Sequence, residues 1–277
     1  MSVMLIDLHT HSTASDGIYT PSVLLEQAHL AHITTMALTD HDTTEGVAEA
    51  KHAATAFDIE VIAGCELNTT FPGTSKEAHI LGYFVPWHDE AFQQQLQERR
   101  VARLARGQKM VAQLQSAGVA ITWEHVLQHA HGAVGRPHVA AALVDLGLVS
   151  SVSEAFDRYL SPGMVGYVAR DPFTPTDALT LLRSAGAVVS WAHPARTPDL
   201  ETILPTFVDA GLQGLETYYG EYDEETVQYL LQLCDRFHLI PTGGSDFHGP
   251  GLHPTPLGGH PVPESSLDAL RSIARWR

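Results

Sequence analysis

The chain has little that would suit a secreted, membrane-bound or disulfide-stabilised protein. It contains two cysteines, Cys65 and Cys234, far apart in the sequence, so neither a disulfide framework nor a cysteine-rich metal motif is indicated. No segment approaches the roughly 20 apolar residues that cross a bilayer, and the N-terminus lacks the pattern of a secretory signal. We therefore expect a cytoplasmic protein with no membrane partner.

Basic residues are also scarce. Lysine and arginine number 16 against 32 acidic residues, which gives a formal net charge of -16. A negative field of this size repels polyanions and argues against a surface that binds duplex DNA through its phosphates. A small phosphorylated substrate would need positive groups or metal ions placed locally at its binding site.

Histidine, by contrast, is abundant, with 17 copies in 277 residues. A hydrophobic fraction of 44% and a charged fraction of 17% are typical of a folded globular chain. Short apolar segments separated by helical patterns predict seven strands, at residues 4–8, 34–38, 60–65, 78–84, 188–192, 214–217 and 239–242. This alternation favours an α/β fold with a mostly parallel sheet or barrel.

The alternation stops between residues 92 and 167. The stretch "FQQQLQERRVARLARGQKMVAQLQ" predicts one long amphipathic helix, and shorter helical patterns without a strand follow it. We therefore predict a barrel formed by residues 1–91 and 168–277, interrupted by a helical insertion at residues 92–167.

Side chains able to bind metals follow or lie within nearly every predicted strand. The candidate ligands are His9, His11, Asp16, His41, Glu66, His79, His193, Asp246 and His248. The C-terminal ends of barrel strands meet on one face, so these side chains are expected to converge. Imidazoles and carboxylates together suit zinc, iron or manganese, and nine ligands suit two or three ions. Asp40 and Asp42 are expected to support these ligands or to cap a helix. Asp7 is expected to support them or to be a residue of the strand.

The motifs "DLHTHS", "SDG", "LTDHDT", "GCE", "HILGY", "AHP" and "GGSDFH", in this order, resemble the PHP (polymerase and histidinol phosphatase) family. The resemblance implies a distorted (β/α)7 barrel, a trinuclear metal site and phosphoesterase activity. By position, it assigns the ligands of one ion as His9, His11, Glu66 and Asp246. Glu66 would bridge to a second ion held with His79 and His193, and the third ion would be held by Asp16, His41 and His248.

Within the family, the chain more closely resembles members that remove the 3′-phosphate of nucleoside 3′,5′-bisphosphates and trim short RNA from its 5′ end. In these members the helical insertion covers the metal face and carries a motif like "GRPH", here residues 135–138. Manganese is the favoured ion, with iron or zinc as alternatives. A hydroxide that bridges two ions would attack phosphorus, and the catalytic residues that hold it would be His9, His11, Glu66, His193 and Asp246.

Four residues are candidates to bind substrate phosphates: Arg136, His138, Arg170 and Arg196. Guanidinium groups match the geometry of phosphate oxygens. Alternatively, His138 belongs to a helix start, and Arg170 and Arg196 pair with surface carboxylates.

Three other functions stay open at this point. Histidinol phosphate hydrolysis is one, although histidine often replaces Asp16 in those enzymes. A binuclear amidohydrolase usually needs a bridging lysine, and Lys51, Lys76 and Lys109 fall in predicted helices or loops. A metal-binding module without activity is disfavoured because all nine ligands are present.

Overall fold

The computed structural model describes residues 4–72, 74, 76–129, 134–169, 173–252 and 254–275. The chain divides into two compact units, Met1–Gln94 with Pro172–Arg277, and Gln95–Asp171. The sequence placed the corresponding boundaries at residues 91/92 and 167/168. Each unit has its own hydrophobic core, as is typical of a domain.

The first unit contains a seven-stranded, nearly closed sheet in which the strands follow one another in chain order. The strands are β1 (Ile6–Thr10), β2 (Thr35–Leu38), β3 (Glu60–Thr70), β4 (Glu77–Tyr83), β5 (Val188–Ala192), β6 (Gly214–Tyr219) and β7 (Ile240–Gly244). All seven predicted strands are therefore present. The residues after β7 return to β1, where Asp246 N–H donates to the His9 carbonyl and His11 N–H to the Phe247 carbonyl.

One strand departs from the parallel arrangement. β4 runs antiparallel to both β3 and β5, whereas the other neighbouring pairs are parallel. A tight connection joins β3 to β4, with the Phe71 N–H donating to the Lys76 carbonyl. As a result, the N-terminal end of β4 lies beside the C-terminal ends of its neighbours.

The helices are α1 (Pro21–Leu30), α2 (Val47–Ala54), α3 (Glu90–Ser116), α4 (Trp123–Leu127), α5 (Arg136–Asp145), α6 (Val152–Ala155), α7 (Pro175–Ser184), α8 (Leu200–Asp209), α9 (Glu224–Phe237) and α10 (Glu264–Ile273). Side-chain caps begin several of them. Thr20 caps α1 by accepting the Val23 N–H, and Asp223 caps α9 by accepting the Thr226 N–H. No helix within the described ranges is long and apolar enough to cross a membrane.

The second unit is helical, as the sequence predicted for this stretch. Most of α3 belongs to it, together with α4, α5 and α6. Its core includes Met110, Leu114, Val126, Leu143 and Leu160, which come from successive helices and from the turn after α6. The amphipathic pattern of α3 thus supplies one apolar face of a small helical bundle.

Candidate metal centre

The strand ends of the first unit carry the predicted ligands towards one place. His9 lies in β1, and His193 follows the last residue of β5. His193 and Asp246 have left-handed backbones, with φ of 33° and 54°, where each strand gives way to a loop. Such conformations are strained for residues other than glycine and concentrate at functional sites.

Glu66 lies at the centre of the cluster and is 1% exposed. Its Oε2 atom lies 3.3 Å from His9 Nε2, 3.3 Å from His11 Nε2 and 3.0 Å from His41 Nδ1. Its Oε1 atom lies 3.0 Å from His79 Nδ1 and 3.3 Å from His193 Nε2. A single carboxylate therefore contacts five imidazoles from four segments of the chain.

The first group consists of His9, His11, Glu66 and Asp246, all of them buried. Asp246 Oδ1 lies 3.3 Å from His9 Nε2 and 3.2 Å from His11 Nε2. Two ligands of one ion, each at about 2.1 Å from it, are about 3.0 to 3.4 Å apart. The spacing of these atoms therefore fits a shared divalent ion.

Unsatisfied polar atoms support this fit. Among the described residues, the buried atoms His9 Nε2, His11 Nε2, His41 Nδ1 and Glu66 Oε2 have no hydrogen-bond partner. Buried polar groups normally find a partner, so an orphaned set of this kind needs an explanation. A bound metal ion supplies one, because imidazole nitrogens and carboxylate oxygens are its usual ligands.

The position of His79 depends on the reversed direction of β4. His79 is the third residue of that strand, and a parallel strand would place it far from the C-terminal ends of its neighbours. Since β4 is antiparallel, this early position lies at the ligand face, where His41, Glu66 and His79 form a second group. His193 adjoins this group through Glu66.

A third group surrounds Asp16 and contains His11, His41 and His248. The closest approach joins Asp16 Oδ1 to His248 Nε2 at 3.3 Å, and Asp16 Oδ2 lies 3.7 Å from His41 Nε2. Gly17 allows the loop to fold this tightly, because a Cβ there would lie 2.5 Å from the His11 carbonyl oxygen. The structure thus brings all nine candidate side chains together, and the assignment of ligands to individual ions stays a prediction.

Other carboxylates brace the loops that carry the ligands. Asp40 accepts hydrogen bonds from the Ser12 N–H and from the hydroxyls of Ser12 and Ser15, next to Asp16. Asp42 accepts from Asn68 and does not cap α2, which begins after Gly46. These contacts support the ligand loops without adding ligands.

Sequence reasoning missed two groups that contact the cluster. Glu216 in β6 accepts a hydrogen bond from His9 Nδ1, and the Tyr219 hydroxyl donates to Asp246 Oδ2 at 2.9 Å. The available signal was a glutamate inside a segment that otherwise had the pattern of a buried strand, where charged residues are rare unless they are paired.

The cluster holds its carboxylates ionised. Burial by itself raises the pKa of Glu66, but the surrounding imidazoles of His41, His9 and His79 hold that pKa well below its usual range. Burial likewise opposes ionisation of Asp246 and Asp16, and neighbouring histidines again keep both pKa values well below normal. The site therefore carries fixed negative charge, as a cation site requires.

The candidate ligand histidines differ in the direction of their pKa shifts. Burial lowers the pKa of His41 to about 4. Burial also disfavours charge on His11 and His79, but Asp246 and Glu66 raise the pKa of His11 to about 10, and Glu66 raises that of His79 to about 9. The pKa of His9 is also raised, against the effect of burial, by Glu216, Asp246 and Glu66. Without metal, these three imidazoles bind protons at neutral pH.

Metal binding is therefore expected to release protons. At pH 7 an ion must displace the protons of His9, His11 and His79, so we expect release of about three protons on full loading. Apparent metal affinity should rise with pH towards 9 to 10, where His79 and His11 lose their protons unaided. Calorimetric titration in buffers of different ionisation enthalpy measures this release.

The exposed His52 in α2 provides the control for this titration. A His52→Ala variant should release the same number of protons as the unaltered protein. Metal binding that is independent of pH and releases no protons would contradict the expectation.

The predicted phosphate-binding residues have different surroundings. Arg196 follows β5, pairs with Glu221 and lies over the Tyr219 ring, with its Cζ 5.1 Å from the ring centroid. In the helical unit, Arg136 lies over the Phe156 ring, and His138 Nδ1 accepts the Gly135 N–H at the start of α5. Arg170 lies outside the described residues.

Lysines and cysteines take no part in the cluster within the described ranges. Lys51 Nζ donates to the Val61 carbonyl, and Lys76 Nζ lies 3.5 Å from Asp199 Oδ2. Lys109 belongs to α3. None is placed as the bridging lysine that a binuclear amidohydrolase usually needs. Both cysteines are buried and unbridged, and burial raises the pKa of the Cys65 and Cys234 thiols, which argues against a nucleophilic role.

A nearly closed α/β barrel with histidines and carboxylates converging at one end defines a metal-dependent enzyme. A model of the PHP domain matches residues 7–133. A 3′,5′-nucleoside bisphosphate phosphatase of Chromobacterium violaceum is 34% identical over 89% of this chain and 88% of that protein. The 5′-3′ exoribonuclease Rnm of Salmonella typhimurium is 31% identical over 89% of this chain and 86% of its own length.

A crystal structure from Bifidobacterium adolescentis, described as a metal-dependent phosphoesterase, covers 98% of this chain and is itself covered over 97% of its length. It has a TM-score of 0.83 and 31% sequence identity. The chain belongs to the PHP domain family and is a metal-dependent phosphoesterase. The predictions of family, fold and enzyme class are confirmed.

Proposed function

We propose that the enzyme removes the 3′-phosphate of nucleoside 3′,5′-bisphosphates, also trims short 5′-phosphorylated RNA from its 5′ end, and acts in the cytoplasm with manganese. The contact of Glu66 with five imidazoles carries this proposal, because it joins the ligand groups into one centre suited to several ions. The activities of the phosphatase and exoribonuclease relatives support the choice of substrate.

The ligands proposed for the first ion are His9, His11, Glu66 and Asp246, those for the second are Glu66, His79 and His193, and those for the third are Asp16, His41 and His248. Divalent ions bound there supply an activated water and neutralise charge on the phosphoryl oxygens.

Exposure of the ligand side chains indicates where the substrate phosphate enters. His9, His11 and Glu66 are at most 1% exposed, whereas Asp16 is 28% exposed. His79, His193 and His248 are 14% to 18% exposed. The buried ligands therefore form the floor of the centre, and the partly exposed ones form the edge that a phosphate can reach.

Arg196 is proposed to attract the substrate phosphate at this edge. Its guanidinium lies over Tyr219, whose hydroxyl contacts Asp246, and it is 43% exposed despite its pairing with Glu221. A guanidinium at this position offsets locally the strong negative charge of the chain. Arg136 and His138 in the helical unit, and Arg170, stay predictions as further phosphate contacts.

Phosphate release from a defined set of substrates tests the proposal. Protein loaded with Mn²⁺, Fe²⁺ or Zn²⁺ is assayed with adenosine 3′,5′-bisphosphate, AMP, histidinol phosphate and a short 5′-phosphorylated RNA. We expect the bisphosphate to give the highest kcat/KM with Mn²⁺, AMP to be the product, and the RNA to yield mononucleotides from its 5′ end.

His193→Ala removes a proposed ligand and should abolish turnover, whereas His52→Ala should retain it. A preference for histidinol phosphate would overturn the nucleotide assignment. Absence of turnover with every ester would overturn the proposed function as a whole.

A further inference from the structure

Glu216 is a buried carboxylate outside the predicted ligand set, at 0% exposure in the middle of β6. Its Oε1 atom lies 2.8 Å from His9 Nδ1, and its Oε2 atom accepts the backbone N–H of His193 at 2.6 Å. Each oxygen thus forms a hydrogen bond with a different candidate ligand. A buried carboxylate whose two oxygens are hydrogen-bonded to two candidate metal ligands requires a functional explanation.

The contact with His9 determines which ring nitrogen faces the ion. A carboxylate oxygen accepts but does not donate, so His9 Nδ1 must carry the proton. The Nε2 atom of a neutral His9 then presents its lone pair to the space between Glu66 and Asp246, where it lies 3.3 Å from an oxygen of each. Glu216 therefore selects the tautomer that can bind a metal ion.

The contact with His193 fixes a strained backbone. His193 has φ of 33° and ψ of 52°, a left-handed conformation that non-glycine residues seldom adopt. β5 and β6 are neighbours, so Glu216 reaches the first N–H beyond the end of β5. This hydrogen bond holds the turn in which the His193 ring points to Glu66 Oε1.

We propose that Glu216 is a positioning residue that aligns His9 and His193 simultaneously, on opposite sides of Glu66, and that this requires one acceptor oxygen for each. His9 belongs to the group around Asp246, whereas His193 contacts the other Glu66 oxygen, beside His79. Glu216 thus couples two ion positions through one side chain. The inference rests on the metal centre of the proposed function and is independent of its substrate.

Glu216→Gln is the sharpest test because glutamine has the same shape but only one acceptor oxygen. If its amide nitrogen faces His193, two N–H donors oppose each other. If it faces His9, Nδ1 must accept, and the proton moves to Nε2, the metal-binding atom. Either orientation impairs one ligand, so we expect Mn²⁺ affinity to fall about 10- to 100-fold.

Three measurements distinguish positioning from a general structural effect. Equilibrium dialysis with metal analysis gives the Mn²⁺ affinity and the number of ions per chain. Nitrogen-15 NMR of the imidazoles in Zn²⁺-loaded protein reports the tautomer of His9. Thermal unfolding of the metal-free variants reports stability separately. Ser190→Ala is the matched control. Ser190 lies in β5, beside β6, and the substitution removes its buried hydrogen bond to Thr242 of β7 without removing a candidate ligand.

We expect Ser190→Ala to keep the Mn²⁺ affinity of the unaltered protein even if its unfolding temperature falls. A Glu216→Gln protein with unaltered affinity and an unaltered His9 tautomer would overturn the inference. If that variant does not fold, NMR of the unaltered Zn²⁺-loaded protein still decides, because a His9 protonated at Nε2 would overturn it. A protein that binds metal but hydrolyses no phosphate ester would contradict the proposed function alone.

Discussion

Replacing Glu66 with glutamine is expected to lower kcat/KM for phosphate ester hydrolysis on the order of a thousandfold or more, equivalent to about 4 kcal/mol of transition-state stabilisation. The reason is its position between five imidazoles, with one oxygen towards each side of the cluster. Glutamine preserves the volume but carries no charge and offers only one acceptor oxygen. We expect metal content to fall together with activity.

The measurement combines steady-state kinetics with metal analysis of the purified variant. Glu60→Gln is the matched control, since Glu60 is the first residue of the same strand, is exposed and pairs with Arg271. The Glu60→Gln variant should retain both metal and activity, because exposed ion pairs contribute little to stability. A Glu66→Gln enzyme with full metal content and unaltered kcat/KM would contradict the central role of Glu66.

Asp7→Ala is expected to have the largest effect on stability, a loss of about 3 to 5 kcal/mol in the free energy of unfolding. The Asp7 carboxylate is fully buried and accepts the Ser245 N–H at 2.9 Å, the Ser245 hydroxyl at 2.6 Å and the Gly258 N–H at 2.8 Å. These contacts tie β1 to the segment after β7. Alanine leaves the buried donors without an acceptor at the closure of the sheet.

Urea unfolding of metal-free protein measures this effect, because bound metal would add its own stabilisation to the folded state. Asp223→Ala is the control, since Asp223 is exposed and caps α9 through the Thr226 N–H. Loss of such a cap costs about 1 kcal/mol. If Asp7→Ala were no more destabilising than Asp223→Ala, its role in closing the sheet would be refuted.

The seven strands were predictable because each is a short apolar segment set between helical patterns. The direction of β4 was not predicted, although the sequence contains the necessary signal. Only six residues separate Thr70 from Glu77. A parallel crossover needs a dozen residues or more, whereas an antiparallel hairpin needs only a short turn. This reversal explains how His79, early in its strand, reaches the ligand face.

Glu216 shows a different limit of prediction from the sequence. Its segment has the pattern of a buried strand, and its single glutamate carries no motif. The function of this carboxylate depends on His9, 207 residues away, and on the backbone of His193 in the neighbouring strand. Periodicity places the residue in a strand but does not identify its partners.

The sequence by itself determined the set of candidate ligands, because histidines and carboxylates placed at successive strand ends have few other uses in a buried barrel mouth. It also determined the succession of strands and helices. Only the tertiary structure decided which atoms meet: the two sides of Glu66, the approach of His248 to Asp16, and the support from Glu216 and Asp7. These pairings join residues up to 251 positions apart, and they depend on sheet register, strand direction and barrel closure, which arise from packing the whole chain.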